Sequence, residues 1–434
     1  MTRFVLLLLL AWPASMAAAM EFPDPVADAD YRATDPAVVA WGRLLFWDPI
    51  LSGNRNISCG TCHHPAFGTG DGLALGLGEG GAGLGPARVA DPANVPEDRI
   101  PRNAPGLWNL GAHEFTVMFH DGRIEETADG LRTPMGEEMT EGFDTLLSAQ
   151  TMFPVLSADE MAGQANENDV ARMVRSGRIT GPGGAWDLLA KRVEAIPDYR
   201  AMWAEAFPGD DALDFTDISD AIAQFVEHEW RSDTAPFDAW SRGEAELHPV
   251  ALRGAELFYG SLGCAACHSG PFQTDHGFHA MGQPQIGPGK AMAFEDHARD
   301  TGRMRVTGDP ADAYAFRTPS LRNVTETGPW GHAGAYDDLR AFVEAHAAPR
   351  AALGAFDPAT VKLPELAAAE DWRETAPEAK AAIAAAVRGP ERAVTEEEVT
   401  ALMAFLETLR DATALEGRLG VPDTVPSGLA VDLE

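Results

Sequence analysis

Cys59-Gly60-Thr61-Cys62-His63 and Cys264-Ala265-Ala266-Cys267-His268 take up all four cysteines of the chain. A C-x-x-C-H on a short helix is the arrangement that attaches a c-type haem. Its two thiols add across the vinyl groups, and the next imidazole sits under the iron. Zinc would need both pairs to converge on one ion, yet a histidine directly after each pair and their wide separation are unlike a zinc ribbon. A thioredoxin-type pair would need a β-α-β setting that the pattern lacks. Disulfides across two-residue loops would be strained. The expectation is two covalent haem c groups held by Cys59, Cys62, Cys264 and Cys267, with His63 and His268 as the proximal iron ligands.

Two such irons leave two options. If both carry a second protein ligand, the chain only relays electrons; if one is open, it can meet peroxide while the other feeds it. Leu339, Phe342, Val343 and His346 fall on one helical stripe. A lone histidine on an apolar face is most often a core residue, but a nearby iron in need of a ligand makes His346 the candidate. Met281, Met304 and Tyr336 compete with it. After the first motif comes a loop with nine glycines between Gly68 and Gly85 and almost no side chain able to ligate. That suits an open iron. Residues 76–81 match G-x-G-x-x-G, but no strand precedes them, so a dinucleotide site is not expected.

The elements that must position these groups read as helical. Ile218, Ile222, Phe225, Val226 and Trp230 form an apolar stripe, and a helix is expected over roughly Tyr336 to Ala347. Thr395 and Glu398 are spaced as a capping box for a last helix. No run alternates like a strand. Gly42-Arg43-Leu44-Leu45-Phe46 and Gly254-Ala255-Glu256-Leu257-Phe258 precede the two haem motifs as a weak internal repeat. The fold class expected is all-α: two cytochrome c-like haem domains with a helical insertion and long loops. Arg3, the apolar run Phe4 to Trp12 and Ala17-Ala18-Ala19 read as a signal peptide. The expected division is therefore 1–19 signal, 20–245 first haem domain with the insertion, and 246–434 second haem domain. Export to the periplasm follows, with no membrane span in the mature chain. Lys plus Arg total 33 against 66 Asp plus Glu, a formal charge of -33 over 434 residues. Nucleic acid is a poor partner for such a chain; a basic protein is a good one.

Several segments together resemble the bacterial di-haem cytochrome c peroxidase family, which includes the MauG-type enzymes. They are Leu45-Phe46-Trp47-Asp48-Pro49, Arg102-Asn103-Ala104-Pro105, Phe119-His120-Asp121-Gly122-Arg123, Phe278-His279-Ala280-Met281-Gly282 and Phe316-Arg317-Thr318-Pro319-Ser320-Leu321-Arg322-Asn323-Val324. The resemblance implies a peroxidatic N-terminal haem and an electron-entry C-terminal haem. It also implies a calcium ion between the domains, mapping to Asn103 and the carbonyls of Thr327 and Pro329.

Four positions depart from the family pattern. Glu79 stands where the peroxidases have a removable distal histidine, so the first haem resembles the MauG type. His120 replaces the inter-haem tryptophan, leaving Trp108, Trp47 or the imidazole itself to carry charge. The distal ligand of the second haem maps to His346. The distal acid–base that moves peroxide's proton maps to Glu138, with Glu137 as the alternative, in Thr133-Pro134-Met135-Gly136-Glu137-Glu138-Met139. His279 and His332 are expected to hold propionates or neighbouring groups. The implied activity is reduction of hydrogen peroxide to water with electrons from a small cytochrome c or cupredoxin. A MauG-like enzyme oxidising Trp or Tyr of a partner protein and a plain di-haem electron carrier are the rivals, and a homodimer is the candidate assembly.

Overall fold

The structure is a computed structural model describing residues 22–136, 139–291, 295–367 and 369–432. The stretch expected to be a signal peptide and both Glu137 and Glu138 lie outside the described residues. Helices dominate, and among the described residues no helix is long and apolar enough to cross a membrane.

Two helix crossings organise the chain. Helix Pro36–Trp47 starts with proline at its first position under an Asp35 cap, and it buries Val38, Val39, Trp41, Leu45, Phe46 and Trp47. It packs on helix Phe215–Glu229, whose apolar stripe faces it. A Cβ on Gly42 would lie 1.8 Å from the Ala221 carbonyl oxygen, so only glycine lets these backbones approach. The second half repeats the device. Helix Pro249–Glu256 crosses helix Glu396–Glu407, and a Cβ on Gly254 would lie 1.9 Å from the Ala401 carbonyl oxygen. The expected capping box is formed, with Thr395 Oγ1 accepting from Glu398 N and Glu398 accepting from Thr395 N. Each crossing leads straight into a C-x-x-C-H turn, and this is what the internal repeat encodes.

The apolar interior divides accordingly. A large core runs from Val26 to Trp230, and a second joins Phe237, Phe258, Leu339 and Phe405. A small third core, with Ala74, Leu75, Ile286 and Ala333, stitches the glycine-rich loop to the second half. The chain end returns to the first core through Ala414 and Val425. There Ser427 donates to Asp48 and the Thr61 hydroxyl donates to Asp432 at 2.5 Å, strapping the first haem motif.

Two details differ from the sequence reading. The helix carrying His346 spans Leu339–Ala347, because Asp338 caps it through Ala341 N and Tyr336 instead bridges back to Trp330. A three-stranded antiparallel sheet, Val117–Met118, Ile124–Thr127 and Gly130–Arg132, also interrupts the helices. Its strands are too short to show alternation. The first turn of this sheet presents Phe119 to Arg123, and Phe278–His279 pairs with Phe316–Arg317 in another short ladder.

Candidate functional site

The first centre is built on the one-turn helix Cys59–Cys62, capped by Ser58, whose backbone N–H donates to Thr61 Oγ1 at 2.9 Å. The Trp47 ring lies where a Gly60 side chain would be, which locks the turn against helix Pro36–Trp47. His63 Nδ1 meets the Thr69 carbonyl oxygen at 2.9 Å, and His268 Nδ1 meets that of Gln273 at 3.0 Å. A carbonyl only accepts, so each Nδ1 carries the proton and each Nε2 is left with its lone pair for a metal. Burial pushes the Cys59 and Cys62 thiols up to about 12 and the Cys264 thiol up to about 11. Neutral, unpaired thiols of this kind are not the reactive thiolates of a redox pair. All four cysteines are free, and among the described residues the two pairs do not converge on one metal-sized site. The donor set fits covalent haem at each motif.

Beside the first centre, Arg88 pins the glycine-rich loop by donating to the carbonyls of Leu77, Gly78 and Gly83. Glu79 is buried, its carboxyl raised by burial, and its Oε1 accepts from Asn54 and Asn56, each at 2.8 Å. It is held by its own loop's neighbours. Pressed on the same loop is the π-helical turn Ala158–Ala162, where the Asp159 carbonyl accepts from Glu79 N at 3.2 Å. A Cβ on Gly78 would lie 2.7 Å from the Glu160 carbonyl oxygen. Glu160 is deep, and burial raises its carboxyl, with Lys290 and Arg123 opposing. Its charge is felt at Cys62. Glu160 is therefore one of the carboxyls that the described residues bring close to Cys62. The chain holds two Glu-Met pairs, Glu138-Met139 and Glu160-Met161. Asp71 adds a second buried carboxyl, pushed up to about 7 by burial.

In the second centre the His268 and His346 rings face each other with centroids 6.3 Å apart. Two metal–nitrogen bonds of about 2.0–2.1 Å plus the ~1.1 Å from each nitrogen to its ring centre span the same length. Burial, reinforced by His268, pushes His346 down to about 4, so it is the neutral imidazole a metal needs. The competitors are engaged elsewhere. Tyr336 packs between Phe342 and Phe356, and the Met281 sulfur lies over Gly389. Met304 opens the short helix Met304–Thr307.

In the turn that follows Met118, burial first and then Arg102, His332 and Arg317 push His120 down to about 3, so its ring is uncharged. Arg317 donates from its backbone to the His120 carbonyl at 2.7 Å, and from Nε to that of Phe119. No carboxylate among the described residues pairs with it, and burial alone lowers it to about 10. A buried guanidinium without a counter-ion is a ready partner for a haem propionate. His332 stacks on Phe316 at 3.9 Å with both ring nitrogens unpartnered. His279 instead bonds Asp275 at 2.8 Å, near Cys267. Trp108 donates to the Gly68 carbonyl, while Trp47 Nε1 is buried without a partner. Asn103 spends its amide nitrogen on the Leu73 and Ala74 carbonyls. Its oxygen is the atom left for a cation; Thr327 turns its hydroxyl to Val324.

A model of the di-haem cytochrome c peroxidase family matches residues 36–246. The chain is 30% identical over 332 residues to the methylamine utilization protein MauG of Methylorubrum extorquens, covering 76% of this chain and 74% of that one. It is 28% identical over 304 residues to the cytochrome c551 peroxidase of Nitrosomonas europaea, covering 70% of each. Among solved structures, a MauG-like protein associated with microbial copper homeostasis superposes with a TM-score of 0.59 at 25% identity, covering 93% of this chain and 97% of that one. The diheme peroxidase BthA of Burkholderia thailandensis superposes with a TM-score of 0.55 at 23% identity over 95% of each chain, which speaks for the fold alone.

Proposed function

The chain belongs to the di-haem cytochrome c peroxidase family, and from that premise we propose that it reduces hydrogen peroxide to water at the His63 centre, with electrons entering through the His268/His346 centre. The observation that carries this reading is the contrast between the two. A second imidazole faces His268, whereas among the described residues no aromatic or imidazole ring faces His63. A plain electron carrier would need a second protein ligand, imidazole or thioether, on both irons.

A haem held by Cys59, Cys62 and His63 would supply a coordination position for peroxide and the redox chemistry for cleaving its O–O bond. The remaining work belongs to side chains. Glu160, in place of the expected Glu138, takes the proton from the metal-side oxygen of peroxide on a carboxylate oxygen. It returns that proton to the departing oxygen, so that water leaves instead of hydroxide. Two electrons and two protons then balance one peroxide to two waters. Arg317 neutralises a propionate, and the uncharged His120 lies on the path between centres. The division at 245/246, periplasmic location and a calcium ion on Asn103, Thr327 and Pro329 belong to the same proposal.

The test is steady-state oxidation of reduced cytochrome c by peroxide. Glu160→Gln should lower kcat/KM by about 10²–10⁴-fold at unchanged haem content; a variant as fast as the parent refutes the assignment. The pinned loop and the tethered Glu79 equally suit a MauG-like enzyme that spends the same oxidising power on a partner's Trp or Tyr. Peroxide consumed without cytochrome c oxidation would favour that second reading.

A further inference from the structure

A buried ion pair is often no more stabilising than apolar residues of the same volume, so one kept in a core calls for a reason besides stability. Arg322 and Asp238 form such a pair, 2% and 0% exposed. Arg322 Nη1 donates to both carboxylate oxygens of Asp238, at 2.7 and 2.8 Å. Asp238 is fixed in turn, because its Oδ2 accepts from Ala235 N at 2.9 Å and closes the start of helix Pro236–Ser241. The centres of the Phe237 and Phe272 rings lie 5.7 and 5.9 Å from the guanidinium carbon.

The other edge of the guanidinium converges on one atom. Nε donates to the Pro271 carbonyl oxygen at 3.0 Å, and Nη2 donates to the same oxygen. Gln273 Nε2 adds a further donor to it at 3.2 Å. Two residues past Pro271, the Gln273 carbonyl takes the Nδ1 proton of His268. Gln273 has a φ of 50°, a left-handed conformation uncommon for a residue with a side chain, so this turn must be held from outside. The first centre is held differently. Thr69 carries the carbonyl there, at a φ of 67°. Neutral groups fix its turn: Leu107 N donates to Thr69 Oγ1 at 2.8 Å, and Trp108 Nε1 donates to the Gly68 carbonyl at 3.0 Å. Among the described residues no guanidinium donates to residues 64–70. The cationic brace is thus a feature of the second centre.

We propose that Arg322 is a positioning residue for the electron-entry centre: by bracing Pro271 it keeps the His268 Nδ1–H bonded to the Gln273 carbonyl, and so holds down the reduction potential of the iron there. The inference rests on the reading that electrons enter through the His268/His346 centre. An imidazole whose Nδ1 proton is drawn to a carbonyl is more basic at Nε2. Hydrogen bonding behind an axial ligand is one of the levers that set an iron potential, and a more basic ligand favours the oxidised metal. Arg322 supplies no bond to His268 itself. It acts through the turn.

The test is an EPR-monitored redox titration of the holoenzyme, reading the low-spin and high-spin ferric signals separately. The parent is compared with two double variants that remove both charges at once, so that a shift reports the hydrogen bond and not a change of net charge. Asp238→Leu with Arg322→Met fills the volume with apolar groups, which cores often tolerate. Should it fail to hold haem, Asp238→Asn with Arg322→Gln carries the same comparison. The expected result is a higher potential at the second centre only. The reduced-to-oxidised ratio at the parental midpoint should rise about tenfold, which is about 59 mV for one electron. A second-centre potential that stays or falls overturns the proposal, and a lower melting temperature alongside it makes the pair a strut alone. An equal rise at both centres overturns it as well, as a general loosening. The reading beneath has its own readout. A parent that consumes peroxide without oxidising reduced cytochrome c overturns the electron-entry reading, whatever the potentials of the double variants.

Discussion

An imidazole whose Nδ1–H is committed to a backbone carbonyl has one nitrogen left to offer, and its ring cannot turn away. His63 and His268 are both held so, by Thr69 and Gln273. His346 differs, since its Nδ1 is buried with no partner. What orients its ring is packing against Phe342, at 5.5 Å between centroids, and the helix that carries both. Replacing it therefore tests ligation with little collateral damage. His346→Ala should turn the second iron's low-spin signal into a high-spin one. His346→Met should keep the iron low-spin and raise its potential by on the order of 100 mV, because a thioether favours the reduced metal and axial ligands span roughly 0.8 V. Redox titration of the two variants checks this; spectra and potential unchanged in both would remove His346 from the iron. His346 was legible in the sequence because its stripe is local. The packing of the Glu160 turn on the glycine-rich loop was not, since nothing within a few residues of it says that this turn comes back to that loop.

At the scale of elements, the same crossing is used twice, and each time a glycine sits where the helices touch. Gly42 against Ala221 and Gly254 against Ala401 leave under 2 Å for a Cβ. An alanine there must push apart the helices on which the haem motif rests. Gly42→Ala and Gly254→Ala should each cost about 1–3 kcal/mol. Each should also weaken haem retention in its own half, which calorimetry and the haem-to-protein ratio would show. Equal stability with full haem loading would mean that the crossings are not under that constraint. The repeat ahead of each C-x-x-C-H announced these crossings, because glycine and the Leu-Phe pair recur at fixed spacing. The sheet built from Val117–Met118, Ile124–Thr127 and Gly130–Arg132 escaped notice for the opposite reason. Two to four residues give no alternation to read, yet its first turn, with Phe119 at a positive φ of 65°, carries His120 to the backbone of Arg317 from the second half.

For the whole molecule, the formal charge of -33 sets a field that a basic donor would follow. The Debye length falls from about 30 Å at 0.01 M salt to about 8 Å at 0.15 M. Over that range kcat/KM with a basic cytochrome c should drop about tenfold or more, and a flat dependence would exclude electrostatic steering. The partition into two cores, joined by a third at the glycine-rich loop, keeps the centres in fixed relation. Arg317, which no carboxylate among the described residues pairs with, could not be picked out from sequence, because which charges meet is a property of the packed protein. The central claim is an asymmetry: one iron held by two imidazoles and one by a single imidazole beside Glu160. The EPR spectrum of the purified ferric protein, before any reductant, tests it most directly. One high-spin and one low-spin signal of equal weight is the result expected. Two low-spin signals would mean a second ligand on the His63 iron and would contradict the account.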